Sequence, residues 1–282
     1  MNHEMHTPTK TTQHQTRRAA ALICALASGG LASQALAQES ASDLAKKLSN
    51  PVAALISVPL QLNYDEKIGP TESGKRWLLN VQPVVPITLN EDWNVISRTI
   101  LPVVSQKDIF PGAGTQSGLG DIVQSVFVSP KAPTAGGWIW GAGPVLLLPT
   151  GTNDLLSAKK WGLGPTAVLL KQESGWTYGA LGNHIWSVAG DSARPDISTT
   201  FLQPFLSYTT PSAWTYAANT ESTYDWKNKQ WSVPLNLLVS KVTKIDSQLI
   251  NVGGGVRYWA DGPDSGPHGW GLRFVVTLLF PK

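Results

Sequence analysis

Beyond residue 37 the chain carries two histidines, His184 and His268, and no cysteine, because Cys24 lies upstream. A hydrolytic site needs a nucleophile, a base and an oxyanion pocket. Ser187, three positions from His184, is the candidate partner for a Ser-His site on an outer wall. On a strand, however, residues three apart point to opposite faces. No G-x-S-x-G turn occurs either. His184 therefore reads as a rim or lumen residue beside Trp186, and His268, between Pro267 and Gly269, as a turn residue. Without a cysteine, thiolate chemistry, disulfides and Cys-based metal sites are excluded. Asp154 is a single acid in its loop, too few for calcium. Gly253-Gly254-Gly255 lacks the following helix of a phosphate cradle and reads as a bend or close approach. No metal and no cofactor is expected.

The remaining chemistry lies in charges set into alternating segments. Arg76, Arg98, Arg257, Arg273, Asp121, Glu221 and Asp225 fall on the polar face, with Asn80, Gln203, Asn219, Asn236 and Asn251 between them. Two uses are open. Charged rings set the preference of a pore, and charges that pair with one another fill the interior of a narrow barrel. Passage through the interior would require them to line one continuous cavity. Adjacent last strands would bring Arg257 near Arg273, and closure of the sheet would bring Arg273 near Gln61 and Asn63.

The elements that must position these charges have a period of two from residue 54 onward. Ile56, Val58, Leu60, Leu62 and Tyr64 alternate with Ser57, Gln61, Asn63 and Asp65, an apolar face for lipid and a polar face for a lumen. About twelve such segments are counted in all, the later ones at 138–149, 161–172, 176–188, 197–209, 214–225, 230–241, 248–260 and 269–280, each as long as or a little longer than the ~9 to 11 residues of a tilted spanning strand. Short links (89–92, 131–137, 173–175, 210–213, 242–246) alternate with generally longer ones, as in barrels with short periplasmic turns and long external loops. The chain has 12 tryptophans, and Trp93, Trp138, Trp176 and Trp214 each follow a short link. Trp77, Trp161, Trp186, Trp226, Trp231, Trp259 and Trp270 sit at the other ends, so the two sets predict two aromatic girdles. Trp140 fits the inner row of the first. A soluble sandwich would need only one such face buried in a core. Pro59, Pro83, Pro102, Pro144, Pro165, Pro204 and Pro234 lie inside segments and must sit at bulges or bends, since proline donates no ladder hydrogen bond.

The first residues are a targeting signal. Arg17-Arg18, an apolar run to Ala32 and Ala35-Leu36-Ala37 predict a signal peptide over 1–37. A leader follows over 38–53, with Ser42 capping a short helix through Leu48, either at the periplasmic mouth, tucked into the lumen, or frayed. The barrel is assigned to 54–282. The full chain has 22 basic and 19 acidic residues; without Lys10, Arg17, Arg18 and Glu4 the balance is 19 against 18, a net +1. Nucleic-acid binding, which needs clustered Lys and Arg, is not indicated. After the signal no run reaches the ~18 apolar residues of a spanning helix, which leaves a closed barrel as the spanning solution.

Four blocks together resemble a known group. They are Ser117-Gly118-Leu119-Gly120-Asp121-Ile122; Gly141-Ala142-Gly143-Pro144 through Leu148-Pro149-Thr150-Gly151-Thr152; Thr220 through Trp226; and Pro267-His268-Gly269-Trp270-Gly271-Leu272-Arg273-Phe274. They are similar to the Gram-negative outer-membrane proteins grouped as putative meta-pathway phenol-degradation barrels and often labelled transporters or neuromedin U. The resemblance spans most of 44–282. The last strand, ending Leu278-Leu279-Phe280-Pro281-Lys282, resembles the signal read by barrel-assembly machinery, although two residues follow the terminal aromatic. The expected function is a passive channel or transporter for small solutes, aromatic or hydrophobic among them, surrounded by outer-membrane lipid. The alternatives are a lipid-modifying enzyme on the outer wall and a structural or adhesive barrel that binds a partner through its loops.

Overall fold

The computed structural model describes Met1 and residues 40–281; the predicted signal peptide lies outside the described residues. One helix, α1 (Ala41–Leu48), precedes twelve antiparallel strand segments. These are β1 (Ile56–Ile68), β2 (Gly74–Val81 and Val84–Thr88), β3 (Trp93–Lys107), β4 (Thr115–Leu119 and Ile122–Pro130), β5 (Trp138–Leu148) and β6 (Lys160–Glu173). They continue as β7 (Trp176–Gly190), β8 (Ser198–Thr209), β9 (Trp214–Thr220 and Ser222–Asp225), β10 (Gln230–Ile245), β11 (Gln248–Asp261) and β12 (Gly269–Phe280). Each pairs with its sequence neighbours, and β12 closes on β1 from Ile56 opposite Phe280 to Tyr64 opposite Leu272. Unbroken strands run from 11 to 16 residues, enough to span hydrocarbon when tilted.

The prolines explain the breaks. β2 is interrupted at Gln82-Pro83, where Gln82 N–H donates to the Pro59 carbonyl across the strand (2.8 Å). β4 is interrupted at Gly120-Asp121, where Gly120 N–H donates to Pro102 (2.8 Å). In β9 the ladders stop at Thr220 and resume beyond Glu221, and continuing their registers puts Pro204 of β8 and Pro234 of β10 beside that gap. A bulge in β10 falls between Val233 and Pro234. Pro144 and Pro165 face each other across β5 and β6, so neither asks the other for a donor.

The outer wall is apolar and exposed, and eleven tryptophans stand on it toward its two ends, ten of them exposed and Trp93 half-buried. At the short-turn end Trp93 meets Trp140 edge-on (5.9 Å), Trp138 meets Tyr178 and Trp176 tilts onto Tyr208. At the long-loop end Tyr64 pairs with Trp77, Tyr224 with both Trp226 and Trp231, and Tyr258 with Trp270. These cross-strand contacts hold the rings in two rows, one toward each end of the barrel. The polar trio Ser97, Thr99 and Gln124 on β3 and β4 is mutually hydrogen-bonded.

α1 begins one residue pair earlier than the Ser42 cap implied. Ser40 Oγ accepts from Asp43 N–H (3.1 Å), and Ser42 Oγ instead donates to the Thr210 carbonyl. Only Ser40 stands three residues before Asp43, the reach of a capping side chain. The leader does not fray: Leu44 (1% exposed) and Ala45 pack on Leu55, Ala213, Val242 and Leu279 inside the short-turn end. The Gln172 side chain donates to the Lys46 carbonyl (2.8 Å).

The glycine run in β11 is continuous strand. A Cβ at Gly255 would stand 1.9 Å from the Leu237 carbonyl oxygen, whereas one at Gly254 meets nothing nearer than 3.6 Å. Gly255→Val should lower barrel stability by about 1–3 kcal/mol, the range for overpacking, and Gly254→Ala by much less. Heat-modifiability on gels and urea midpoints of the refolded variants check this ordering; equal effects would refute the close approach.

Candidate functional site

The interior has two unlike halves. β3 to β8 contribute Ile96, Phe127, Val168, Leu170 and Leu181 to a buried apolar cluster, joined by Val52 of the leader and by Phe201 and Phe205. The expected polar lumen is therefore corrected: one sector is hydrophobic, its strand side chains packing on one another and on Val52. The other half, β9 to β12 with β1 and β2, holds most of the charges, with Arg98 apart on β3.

Their geometry is one connected cluster. Arg273 donates to both carboxylate oxygens of Glu221 (2.9 and 2.7 Å) and through Nε to Asn63 (2.8 Å) across the closing seam. Arg257 lies between the acids, 3.7 Å from Glu221 and 3.7 Å from Asp65. Asp65, wholly buried, also accepts from Arg76 (3.0 Å) and from the indole N–H of Trp259 (2.8 Å). The Arg257 guanidinium rests over the Trp259 ring at 4.5 Å. Buried charges persist only with such partners, and bidentate Arg–carboxylate pairs are the strongest of them.

Five of the seven predicted charges thus point inward, four of them in this cluster: Arg76, Glu221, Arg257 and Arg273. Arg98 stands apart on β3, donating to Gln82 (3.2 Å). The other two are corrected. Asp121 accepts from Gly151 N–H, Ser157 Oγ and Ala158 N–H (2.9, 2.7 and 2.7 Å), so it clasps the 149–159 loop. Asp225 caps its own turn, accepting from Lys227 N–H, Asn228 N–H and the Asn228 amide. Trp259 is corrected as well, since it shares the inward parity of Arg257 and leaves the girdle. Asp65 was visible on the polar face of the first segment but carried no sign that it would be the hub; that needs the β1–β12 closure and the β11 register.

The inward charges do not line one continuous cavity, so the condition for passage through the interior is not met in this form. A chamber of about 260 Å³ at the short-turn end is bounded by α1 residues, Gln61, Gln82 and Arg98. A second cavity, about 400 Å³, opens at the long-loop end between Arg76, Gln106, Leu156 and Arg194. The buried cluster borders neither except through Arg76. The 149–159 loop folds over that second cavity. Arg194 donates to the carbonyls of Asp154 and Ser157, Lys159 pairs with Asp154 (2.7 Å), and Lys160 with Asp196 (3.0 Å). The Lys159 hydrogen bond holds the Asp154 carboxyl below the usual carboxylate range, and Lys160 does the same for Asp196.

His184 and Ser187 do point to opposite faces. Ser187 binds Asp196 and the Ile197 N–H. His184 stacks on Trp186 (4.1 Å) with Thr200 Oγ1 at 2.7 Å from Nδ1 and Ser198 Oγ at 3.4 Å from Nε2. Among the described residues no group of three or more His, Cys, Asp or Glu is placed to hold a metal.

No family model and no curated protein matches the chain. Among solved structures it is similar to an outer membrane channel from Pseudomonas putida F1, with TM-score 0.63 and 15% identity over 80% of this chain and 96% of that one. It also aligns with outer membrane phospholipase A from Escherichia coli, with TM-score 0.48 and 10% identity over 84% and 98%. The fold is that of outer-membrane barrels. At these identities the likeness concerns the fold alone.

Glu221→Gln would leave Arg257 and Arg273 without a full countercharge in a buried site, a loss of about 3–5 kcal/mol. Asp225→Asn, at a turn, should cost less than about 1 kcal/mol. Denaturant midpoints of the two refolded variants should separate clearly; coincident midpoints would show that the cluster does not hold the interior.

Proposed function

We propose that this chain is an outer-membrane channel for small solutes, closed in the form described here by α1 at one end and by the charge cluster above it. The observation that supports this reading most directly is an internal chamber enclosed by a lipid-type barrel wall and capped by one short helix. Small barrels of about eight strands fill their interiors with side chains; here a partly open space of about 260 Å³ remains beside the helix. The resemblance of the four sequence blocks to the phenol-degradation barrels favours a small, partly apolar solute, and the two-sided lumen agrees with it. The long loops face the exterior and the short turns the periplasm, with lipid around the belts and insertion by the barrel-assembly machinery. α1 is held by an apolar cluster and a few hydrogen bonds rather than by the ladder, so it is the movable part.

Leu44→Asp would set an unpaired carboxylate into a site only 1% exposed, at a cost of several kcal/mol. It should expel α1 from the mouth. In planar bilayers the wild-type protein should be quiet or show rare small steps, and the variant frequent small ones, because the charge cluster still narrows the lumen. Silence from both would sink the channel; equal conductance would sink the helix as its plug.

A second reading, a lipid-ester hydrolase on the outer wall, is favoured by one observation, the Ser198–His184–Thr200 array at the rim. The Ser198–His184 distance of 3.4 Å is long for a nucleophile and its base. The protein should release no fatty acid from phospholipid vesicles, and a fluorophosphonate should leave Ser198 unlabelled. Labelling that is lost in His184→Asn would favour the hydrolase.

A further inference from the structure

The interior charges do not balance. Three guanidiniums, those of Arg76, Arg257 and Arg273, share two carboxylates, Asp65 and Glu221, and a fourth, Arg98, pairs with neither. Both acids are committed: Glu221 is engaged by Arg273 and Arg257, and Asp65 by Arg76, Arg257 and Trp259. Arg98 has the neutral amide of Gln82, and among the described residues it forms no ion pair with a carboxylate. It lies on the wall of the chamber beneath the cluster, and the other charged group on that wall is Lys47 of α1; no Asp or Glu lines it. Glu221 acts on Arg98 only through its field, and a half-buried guanidinium whose direct partner is a neutral amide is relieved best by a carboxylate that matches its fork.

The rest of the wall says what the carboxylate is attached to. Leu181 and Phe205, from the apolar half of the lumen, stand on the same chamber as Arg98. A volume of about 260 Å³ falls just below the ~300–1,000 Å³ of pockets for drug-sized ligands, so the occupant is about one ring in size. We propose that the chamber is a binding site for a small organic monoanion, its carboxylate on Arg98 and its apolar body against Leu181 and Phe205. This rests on the channel reading, whose substrate class it names. A cation is repelled by Arg98, and a neutral solute leaves its charge without a direct countercharge.

The test uses the full-length refolded barrel in detergent and three probes of one shape: benzoate, benzamide and benzylamine. Isothermal titration should show benzoate binding about tenfold to a hundredfold more tightly than the other two, the range for one charge-assisted hydrogen-bonded pair. Arg98→Gln should erase that preference and Arg98→Lys keep part of it. Equal binding of the three probes, benzoate binding unchanged in Arg98→Gln, or displacement of benzoate by chloride at equal affinity would overturn the assignment. If Arg98→Gln does not fold, the wild-type ranking of the probes decides alone. Uptake into proteoliposomes separates this from the channel reading. Benzoate bound but not taken up supports the site and overturns the channel; uptake of all three alike, with no binding preference, supports the channel and overturns the site.

Discussion

A backbone in hydrocarbon has no water to bond, so every strand edge must find a partner and the sheet must close. In this chain the closure is β12 on β1, and the interior depends on it. Arg273 comes from the last strand and Asn63 and Asp65 from the first, so the residues at the centre of the charge cluster are separated by nearly the whole sequence and meet only when the barrel is shut. The same constraint explains the prolines. Each lacks one donor, and the chain sets several of them at interruptions where ladder bonds are already missing.

Those interruptions are useful to the interior. Glu221 sits where β9 loses its ladder beside Pro204 and Pro234, and that is where a carboxylate enters the lumen to take two arginines. Asp121 sits at the break in β4, where Thr150 and Thr152 hydroxyls take the Ile122 and Leu119 N–H groups. The four blocks that resemble the phenol-degradation barrels therefore join in pairs. Two form the loop clasp around Asp121, and two supply Glu221 and Arg273 to one ion pair.

Most of the fold was legible because a period of two, short links and tryptophan positions are local signals. The segments from Trp138 onward agree with the observed strands to within a few residues. What was not legible is nonlocal. Asp65 and Trp259 look like ordinary members of their strands until the register between β1, β11 and β12 sets one against the other. The parity that put Arg257 in the lumen also puts Trp259 there, and reading its ring as a girdle residue set composition above periodicity. The apolar half of the lumen was hidden for a related reason: a buried inward leucine and a lipid-facing one have the same pattern, and only the docking of Val52 distinguishes them.

On the channel reading proposed above, the lumen is closed twice, by different physics. At the short-turn end the seal is apolar packing of α1, with Leu44 and Ala45 in a cluster of small area that one polar substitution would disrupt. Above it the seal is a set of ion pairs made by strands already locked in the ladder, so those side chains can exchange partners without the wall moving. A solute entering from the α1 side meets Arg98 before it reaches the cluster. An anion seated there would also lie near the field of Glu221 and its arginines, where like charge competes for the same guanidiniums. Opening of the inner seal by ligand charge, rather than by displacement of backbone, is the order of events that this arrangement favours.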